Sequence, residues 1–542
     1  MAENNKVTRK ATLVRTRKTA VPKACGANTE DKEAKDEEMP KVRIINEAET
    51  TKITKTSENT TVQITPKRKI LFAASECTPF IATGGLAEVV GSLSKTLAQD
   101  ESYDVRVVLP LYSDIRGDYR QRFKYLGNLN VPLGWRNQYC GIFSYEENGV
   151  TFYFLDNEYY FRRGGCYGYY DDGERFAFFS RAIMEILGYL RFYPDVLHCH
   201  DWQSALAAIY LKTIYCHRQE YSLIRAVFTI HNIEYQGKYS LDVLEDLFGI
   251  SNDYRYLFEF DGCANLMKAA IECCEAFSTV SPTYAEEIKR AEYAHGLQDE
   301  IQRNAFKLRG ILNGIDVKSY DPAIDPALFL PYSAENPAGK AVCKSELQKM
   351  LGLPVREEVP VIAMISRLVS HKGLDLVRAS IEELLSDDIQ FVLLGTGDTE
   401  YEAYFKDLSN RYKGKAVAII AFNGDLSRKI YSGADIFLMP SKSEPCGLSQ
   451  MIASRYLTVP VVRETGGLYD SIKPYGAGGN GFTFAAYNAG DMLYVLREAI
   501  SLYKNKPEWQ KLMIKAGTTD FSWQRSAQEY KKLYSDTLAL LK

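Results

Sequence analysis

Ser443-Glu444-Pro445-Cys446-Gly447-Leu448 brings a carboxylate, a thiol and a glycine into one short loop, between the apolar run Ile436–Pro440 and a helical run from Ser449. Downstream stands Thr465-Gly466-Gly467-Leu468, and the same tetrapeptide recurs far upstream at Thr83-Gly84-Gly85-Leu86. Each glycine pair follows an apolar, strand-like stretch and precedes a helix-like one. A glycine pair in that position lets backbone approach a ligand closely, and the helix N-terminus behind it attracts an anion. A lone Gly-Gly pair is more often just a turn. Two of them in two halves of the chain, with a carboxylate beside one, describe a site for a phosphorylated ligand lying between two domains.

Other residues join this constellation. Arg367 and Lys372 lie just past the strand-like Val361–Ile365, on either side of a Val-Ser-His turn. Two cations at the carboxyl end of a strand match a diphosphate, the guanidinium as a bidentate donor and the ammonium as a point charge. His231-Asn232 ends the strand-like Val227–Ile230 and precedes Tyr235-Gln236-Gly237, a place where side chains more often serve a ligand than a core. His198-Cys199-His200-Asp201 looks like a metal cluster but completes no tetrahedral set, so it reads as hydrogen-bonding groups at a strand end.

The elements that must position these residues follow a repeated grammar. Strand-like runs at Ile70–Ala74, Val105–Pro110, Asp195–His200, Ala226–Ile230 and Ala276–Val280 alternate with helical periods such as Leu86–Leu97 and Trp202–Tyr215. Tyr139–Tyr145 and Val150–Leu155 read as a hairpin. Asp321–Gly339 turns to Pro, Ala and Asp without periodicity and reads as a linker. A second alternating block then places strands at Val359–Ile365, Gln390–Leu394, Ala416–Ala421, Ile436–Met439 and Pro460–Val462, and a last helix at Ser526–Leu541. This predicts α/β architecture: two doubly wound, Rossmann-like domains over residues 68–330 and 331–520, facing each other across a cleft, then a C-terminal helix over 521–542.

Residues 1–67 are different in kind, rich in Lys, Thr, Glu and Asn and nearly free of aromatics. Up to Lys69 there are 16 Lys or Arg against 10 Asp or Glu, a net +6, which leaves −9 for the rest of a chain whose total is −3. Such a segment predicts a disordered charged tail, with no apolar stretch of the kind a secretory signal needs. Overall, 46% hydrophobic and 25% charged residues are those of an ordinary globular protein. No apolar run reaches the ~18 residues of a membrane span, and the net charge gives no reason to expect nucleic acid. The 11 cysteines are odd in number and scattered, with no C-x-x-C pair, which points to the cytoplasm. The 37 tyrosines suit carbohydrate, since each ring has an apolar face and a hydroxyl.

From Lys69 to the C-terminus the chain resembles the bacterial glycogen synthases and plant starch synthases, glycosyltransferase family 5. The resemblance rests on Ser75-Glu76 with Thr83–Leu86, Tyr167 with Glu174–Phe179, His198-x-His-Asp-Trp202, Phe228–Asn232 with Tyr235–Gly237, Thr279–Glu287, and Gly310–Asp316. In the second half it rests on Ser366–Leu368 with Lys372–Leu376, Gly433–Asp435, Pro440–Gln450 and Val459–Leu468. It implies a GT-B fold and transfer of glucose, with retention, from a nucleotide sugar to the non-reducing end of an α-1,4-glucan. ADP-glucose is the implied donor; no metal and no cofactor are implied.

By the same resemblance, Arg367 and Lys372 bind the diphosphate, supported by backbone from Gly84, Gly85, Thr465, Gly466 and Gly467. Phe422 stacks on the adenine, Glu444 holds glucose hydroxyls, and His231 and Asn313 complete the pocket with Cys446 and Gly447. Asp201 lies on the acceptor side with Tyr167, Asn232 and position 82. Cys446 is expected to pack inertly. One departure stands out: the family usually has Lys before the first Thr-Gly-Gly-Leu, and here that residue is Ala82. The loop is expected to have compensated for that lost cation. Two alternatives stay open, a transferase that uses UDP-glucose and a glucan-binding protein without turnover. The oligomeric state is not legible.

Overall fold

The computed structural model describes residues 66–540, so the charged segment ahead of Pro66 lies outside the described residues. Two sheets organise the chain. The first is built from β1 (Arg68–Ala73), β2 (Tyr103–Pro110), β3 (Lys124–Leu133), β4 (Arg136–Glu147), β5 (Val150–Asp156), β6 (Val196–His200) and β7 (Arg225–Ile230). After a small three-stranded sheet of β8 (Lys238–Tyr239), β9 (Glu259–Phe260) and β10 (Cys263–Asn265) come β11 (Ala276–Thr279) and β12 (Leu308–Gly310). The nine strands of the first sheet lie in the order β12-β11-β7-β6-β1-β2-β5-β4-β3. All neighbours are parallel except the β5-β4-β3 meander.

The second sheet is six-stranded and wholly parallel: β13 (Val361–Ile365), β14 (Gln390–Gly395), β15 (Ala416–Ile420), β16 (Ile436–Met439), β17 (Val459–Arg463) and β18 (Phe482–Phe484), in the order β15-β14-β13-β16-β17-β18. In both sheets the order reverses at a central strand, and loops at the carboxyl ends of the strands on either side of that point enclose a crevice. Central strands are buried on both faces, which is why they read as unbroken apolar runs: Ile70, Leu71, Phe72 and Ala73 are all fully buried.

Helices cover the faces of both sheets. Helix Gly85–Ala98 buries Leu86, Val89, Val90, Leu93 and Leu97, one stripe at helical spacing. Helix Trp202–Tyr210 runs on into a single π-helical segment, Leu211–Tyr215. The expected linker is not a free tether. Asp325 accepts from Arg428 at 2.9 Å and from the Tyr456 hydroxyl, while the Tyr332 hydroxyl donates to Tyr456 O at 2.8 Å. The stretch before helix Ala338–Met350 is thus laid down on the second lobe.

The final helix, Trp523–Ala539, returns to the first lobe. Lys531 pairs with Asp100 at 2.6 Å, Arg68 donates to Ser535 at 2.8 Å, and the buried Tyr534 hydroxyl lies 2.8 Å from His198. Among the described residues no helix is long and apolar enough to cross a membrane.

Candidate active site

A cavity of about 1330 Å³ opens where the carboxyl ends of the two sheets face each other, lined by both lobes. Of the residues singled out above, Tyr167, Asp201, His231, Asn232 and Asn313 line it from the first lobe, together with Gly84 and Gly85. Arg367, Lys372, Glu444, Cys446 and Gly447 line it from the second. Ala82, Phe422 and Thr465–Gly467 are not part of its wall.

The first glycine loop is held open by a carboxylate. Glu76, just past β1, accepts from both the amide and the hydroxyl of Thr83 (the latter at 2.7 Å), and from the Tyr167 hydroxyl at 2.5 Å. Ser75 completes the set, 2.7 Å from that same hydroxyl. Gly84 is extended and Gly85 begins helix Gly85–Ala98, whose first turn has no side-chain cap. A Cβ on either glycine would meet nothing within 4 Å, so the uncapped N-terminus of a 14-residue helix faces open cleft. Ala82 is exposed beside this loop.

The second glycine loop does a different job. A Cβ on Gly466 (φ +44°) would lie 2.0 Å from the Glu444 carbonyl oxygen, and one on Gly467 would lie 2.2 Å from that of Cys446. The glycines therefore admit the Ser443–Leu448 loop, not a ligand. Their amides are also taken. Gly466 N donates to Glu287 at 3.0 Å, Gly467 N donates to the carbonyls of Glu444 and Pro445 at 3.2 Å, and the Thr465 hydroxyl donates to Glu287 at 2.8 Å. The expectation that Thr465–Gly467 offer backbone donors to a diphosphate does not fit this arrangement. Their donors are spent on the neighbouring loop and on a first-lobe carboxylate.

Asp201 and His231 form one unit. Asp201 has φ +55°, rare for a residue with a side chain, and its carboxylate accepts from the His231 amide at 2.7 Å. Burial pushes the Asp201 carboxyl up to about 7, against the pull of the His231 and Asn232 amides. Burial also pushes the His231 imidazole down to about 3, so the ring is neutral at ordinary pH. Its Nε2 lies 3.0 Å from His200 Nδ1. His198 is likewise depressed to about 3 by burial, and its nitrogens are engaged by Tyr534 and Thr229. Among the described residues no group of three His, Cys, Asp or Glu side chains is placed to hold a metal.

On the second lobe, Lys372 and Glu444 hold each other. The ammonium donates to both carboxylate oxygens at 2.9 and 2.7 Å, and the Ser441 hydroxyl adds a third bond at 2.9 Å. Arg367 is exposed, with no ion pair among the described residues. Gly447 has φ +69°, and a Cβ there would meet Gln450 Oε1 at 2.6 Å, so this turn requires glycine. Burial raises the Cys446 thiol to about 12, with Asn313 opposing it only in part; the group is neutral and a poor nucleophile. The Asn313 side-chain oxygen is buried without a partner at the cleft wall. Phe422 follows edge strand β15 with its ring 98% exposed, outside the cleft as it stands.

The two walls carry opposite charge. Among the described residues, Glu76, Asp172, Asp201, Glu234 and Glu292 line the first-lobe side with no Lys or Arg, whereas Arg367, Lys372, Lys442 and Arg463 line the other against only Asp375 and Glu444. Sequence reasoning missed Arg463 and Glu287. Arg463 ends β17 and donates to the carbonyls of Ser441 and Lys442 at 3.3 and 2.8 Å, bracing the loop that carries Glu444. Its position, a cation ending a parallel strand, is the same signal that marked Arg367. Glu287 had no such signal, because its partners lie across the cleft.

Known proteins match this chain over both lobes. Residues 69–303 match the model of the starch synthase catalytic domain, and residues 349–518 that of glycosyl transferases group 1. Glycogen synthase of Desulforamulus reducens is 47% identical over 87% of this chain and 99% of its own length. That of Geobacillus stearothermophilus is 46% identical over 87% and 98%. The solved catalytic domain of starch synthase IV from Arabidopsis thaliana, bound to ADP and acarbose, superposes with a TM-score of 0.81 at 33% identity, covering 88% of this chain and all of that one. Sucrose-phosphate synthase from Thermosynechococcus elongatus, at 15% identity and a TM-score of 0.57, shares the fold alone. With a two-lobed, GT-B-like fold, a cleft between parallel sheets and relatives matched over nearly their whole length, the chain belongs to the glycogen synthase and starch synthase family of glycosyltransferases.

Proposed function

We propose that this chain transfers glucose, with retention, from ADP-glucose to the non-reducing end of an α-1,4-glucan. The observation that carries this is the charge asymmetry of the cleft. A diphosphate is disfavoured by a first-lobe wall lined with acids, of which Asp201 is only partly ionised near neutral pH, and drawn to the opposite wall, where four cations outnumber two carboxylates. Arg367 takes it bidentately, and the uncapped helix at Gly84-Gly85 faces it from the other lobe. Lys372 and Glu444 exchange their mutual bonds for ligand bonds, the ammonium on phosphate and the carboxylate on sugar hydroxyls. His231, neutral and held beside Asp201, contacts the sugar, with Asn313 in the same pocket. The acidic first-lobe wall, with Tyr167 and Asn232, receives the hydroxyl-rich glucan.

In the reaction the bond between C1 and the phosphate oxygen breaks, and the charge that develops on the leaving ADP meets preorganised cations and helix amides. The acceptor O4 attacks C1 from the same face and passes its proton to the departing phosphate oxygen. Neither a protein nucleophile nor a metal takes part, and the neutral Cys446 thiol stays out of it. The test is purified protein with ADP-glucose or UDP-glucose plus glycogen, following released nucleoside diphosphate and the anomeric configuration of the new linkage. ADP release with an α-linkage is expected. A preference for UDP-glucose, or a β-linkage, overturns the assignment. One observation favours a second reading, a glucan-binding protein without turnover: position 82, beside the first glycine loop, is Ala, and among the described residues no Lys or Arg lines the first-lobe side. It predicts glycogen binding with no diphosphate released from either donor.

A further inference from the structure

His200 is used by nothing described so far, yet its ring stands directly behind His231. We propose that His200 is a positioning residue: its Nδ1–H donates to His231 Nε2 and thereby holds His231 as the Nδ1–H tautomer, with a donor left for the bound sugar. This rests on the reading of His231 as a sugar contact and deepens it, by stating which proton the imidazole offers.

The proton count leads there. Both rings are kept neutral by burial, so each carries one N–H. They share one hydrogen bond, 3.0 Å between His200 Nδ1 and His231 Nε2. His200 Nε2 is buried and has no partner among the described residues. If His231 donated, the His200 proton would sit on Nε2, an orphaned N–H packed between rings. If His200 donates, Nε2 keeps only a lone pair. Orphaned buried N–H groups are rarer than under-satisfied acceptors, so His200 is the donor. The proton of His231 is then on Nδ1, and since His231 lines the cleft, that nitrogen is the one available to a ligand.

The ring of His200 has little freedom to do otherwise. It stacks on Phe72 with centroids 5.5 Å apart at 13°, and packs at 4.1 Å against His198. His198 is pinned from behind by Tyr534 of the C-terminal helix at 2.8 Å and by Thr229 at 2.6 Å, and Thr229 in turn bonds Ser278 at 2.7 Å. The column Tyr534, His198, His200, His231 therefore runs from the returning helix to the cleft. The backbone amide of His200 is tied down by Ser204 at 2.7 Å.

Nitrogen NMR of ¹⁵N-histidine-labelled full-length protein reads the tautomer directly, and with six histidines the signals are assignable by substitution. The expected result is an Nδ1–H signature for His231 that is lost or mixed in His200→Ala and retained in His200→Asn, whose side-chain N–H stands in for Nδ1–H. Turnover should fall at least tenfold in His200→Ala and return to within about threefold in His200→Asn, with thermal unfolding recorded for both. An Nε2–H tautomer of His231 in the parent, or one unchanged in a folded His200→Ala, overturns the proposal. His231→Ala tests the underlying reading separately: undiminished turnover there removes His231 from sugar contact, while the tautomer result for His200 stands on its own.

Discussion

Ala82→Lys supplies the cation that the family resemblance leads one to expect before the first glycine loop, and the structure allows its effect to be sized. Ala82 is exposed, so the new side chain has room and does not crowd the loop. The adjacent Thr83 is clamped to Glu76 through both its amide and its hydroxyl, so the loop itself should not shift. An ammonium about 5 Å from a phosphate charge gains roughly 3 kcal/mol at an effective dielectric of 20 and roughly 1 kcal/mol in bulk-like solvent. Competition from Glu76 for the same ammonium takes back up to about 1 kcal/mol, the worth of an exposed ion pair. The net spans about 0–3 kcal/mol, and for a partly desolvated cleft, between the two dielectric limits, it is about 1–2 kcal/mol, or roughly five- to thirtyfold.

Compensation, expected from the sequence because the other motifs are intact, would need a substitute cation or a tighter amide cradle; among the described residues the first-lobe lining holds no Lys or Arg, and the amides at Gly84-Gly85 carry only the partial charge of a helix end. Lys442 and Arg463 add charge only on the opposite side. Ala82→Lys should therefore raise kcat/KM for ADP-glucose at least fivefold, and the gain should shrink as salt is raised, since screening weakens contacts between exposed charges. The assay is initial-rate ADP release on glycogen at two ionic strengths, parent beside variant. An unchanged or lower kcat/KM refutes this reasoning and shows that the second-lobe cations already saturate the phosphate. A gain insensitive to salt would equally refute the electrostatic account.

Arg367→Ala and Lys372→Ala should each cut turnover on the order of a hundredfold, the usual loss when a charge-stabilising donor is removed. They should differ in stability: Arg367 is exposed, whereas removing Lys372 strands the buried Glu444 at a cost of about 3 kcal/mol, readable by urea unfolding. Phe422→Ala should raise the donor KM about tenfold with unfolding unchanged, because a stacked base is worth about 1–3 kcal/mol and this ring is exposed; an unaltered KM removes it from the site. Stability should also fall on acidification below about pH 6.5. His198, His200 and His231 are depressed by burial, so the unfolded chain takes up protons that the folded protein refuses; their contribution is complete above about 6.5 and lost as pH falls, toward about 3 for His198 and His231. Asp201, raised to about 7, opposes them between about 4 and 7 by binding its proton first in the folded state. Three protons less one leave two, about 1 kcal/mol per pH unit each, and His198→Gln should flatten the slope by one of these in urea titrations at pH 6.5 and 5.0.

How much of this was legible in the sequence depended on where each hydrogen bond ends. Strands buried on both faces declare themselves as apolar runs, so Ile436–Met439 was found to the residue. Edge strand Lys124–Leu133 was missed: it is largely exposed, carries Pro132, and slips register between Tyr125 and Gly127. The three-residue strands Leu308–Gly310 and Phe482–Phe484 are too short to show a period. In the site, strand-end residues such as His231 and Arg367 were readable because topology alone carries them to the crevice. The pairing of Lys372 with Glu444, which stand 72 positions apart, was not. Each was identified as a ligand contact, and nothing local says that they also satisfy one another.

The two Thr-Gly-Gly-Leu segments show why a motif underdetermines its role. Both end an approach to a helix, and in both a carboxylate takes the threonine hydroxyl. What differs is where that carboxylate comes from. Glu76 belongs to the same lobe as Thr83 and, within that loop, reaches only the threonine, leaving the glycine faces clear to the cleft. Glu287 reaches Thr465 and Gly466 from the opposite lobe, while Glu444–Cys446 backbone fills the space beside Gly466 and Gly467. Thr283 strengthens the same junction by donating its amide and hydroxyl to Asp470 at 2.9 and 2.7 Å. Absence of a side chain serves open space in the first case and close packing of two loops within the second lobe in the second. Of the two Thr-Gly-Gly-Leu segments, only the first has glycines facing the cleft, while the second braces the loop that carries Glu444 and joins it to the lobe that carries His231.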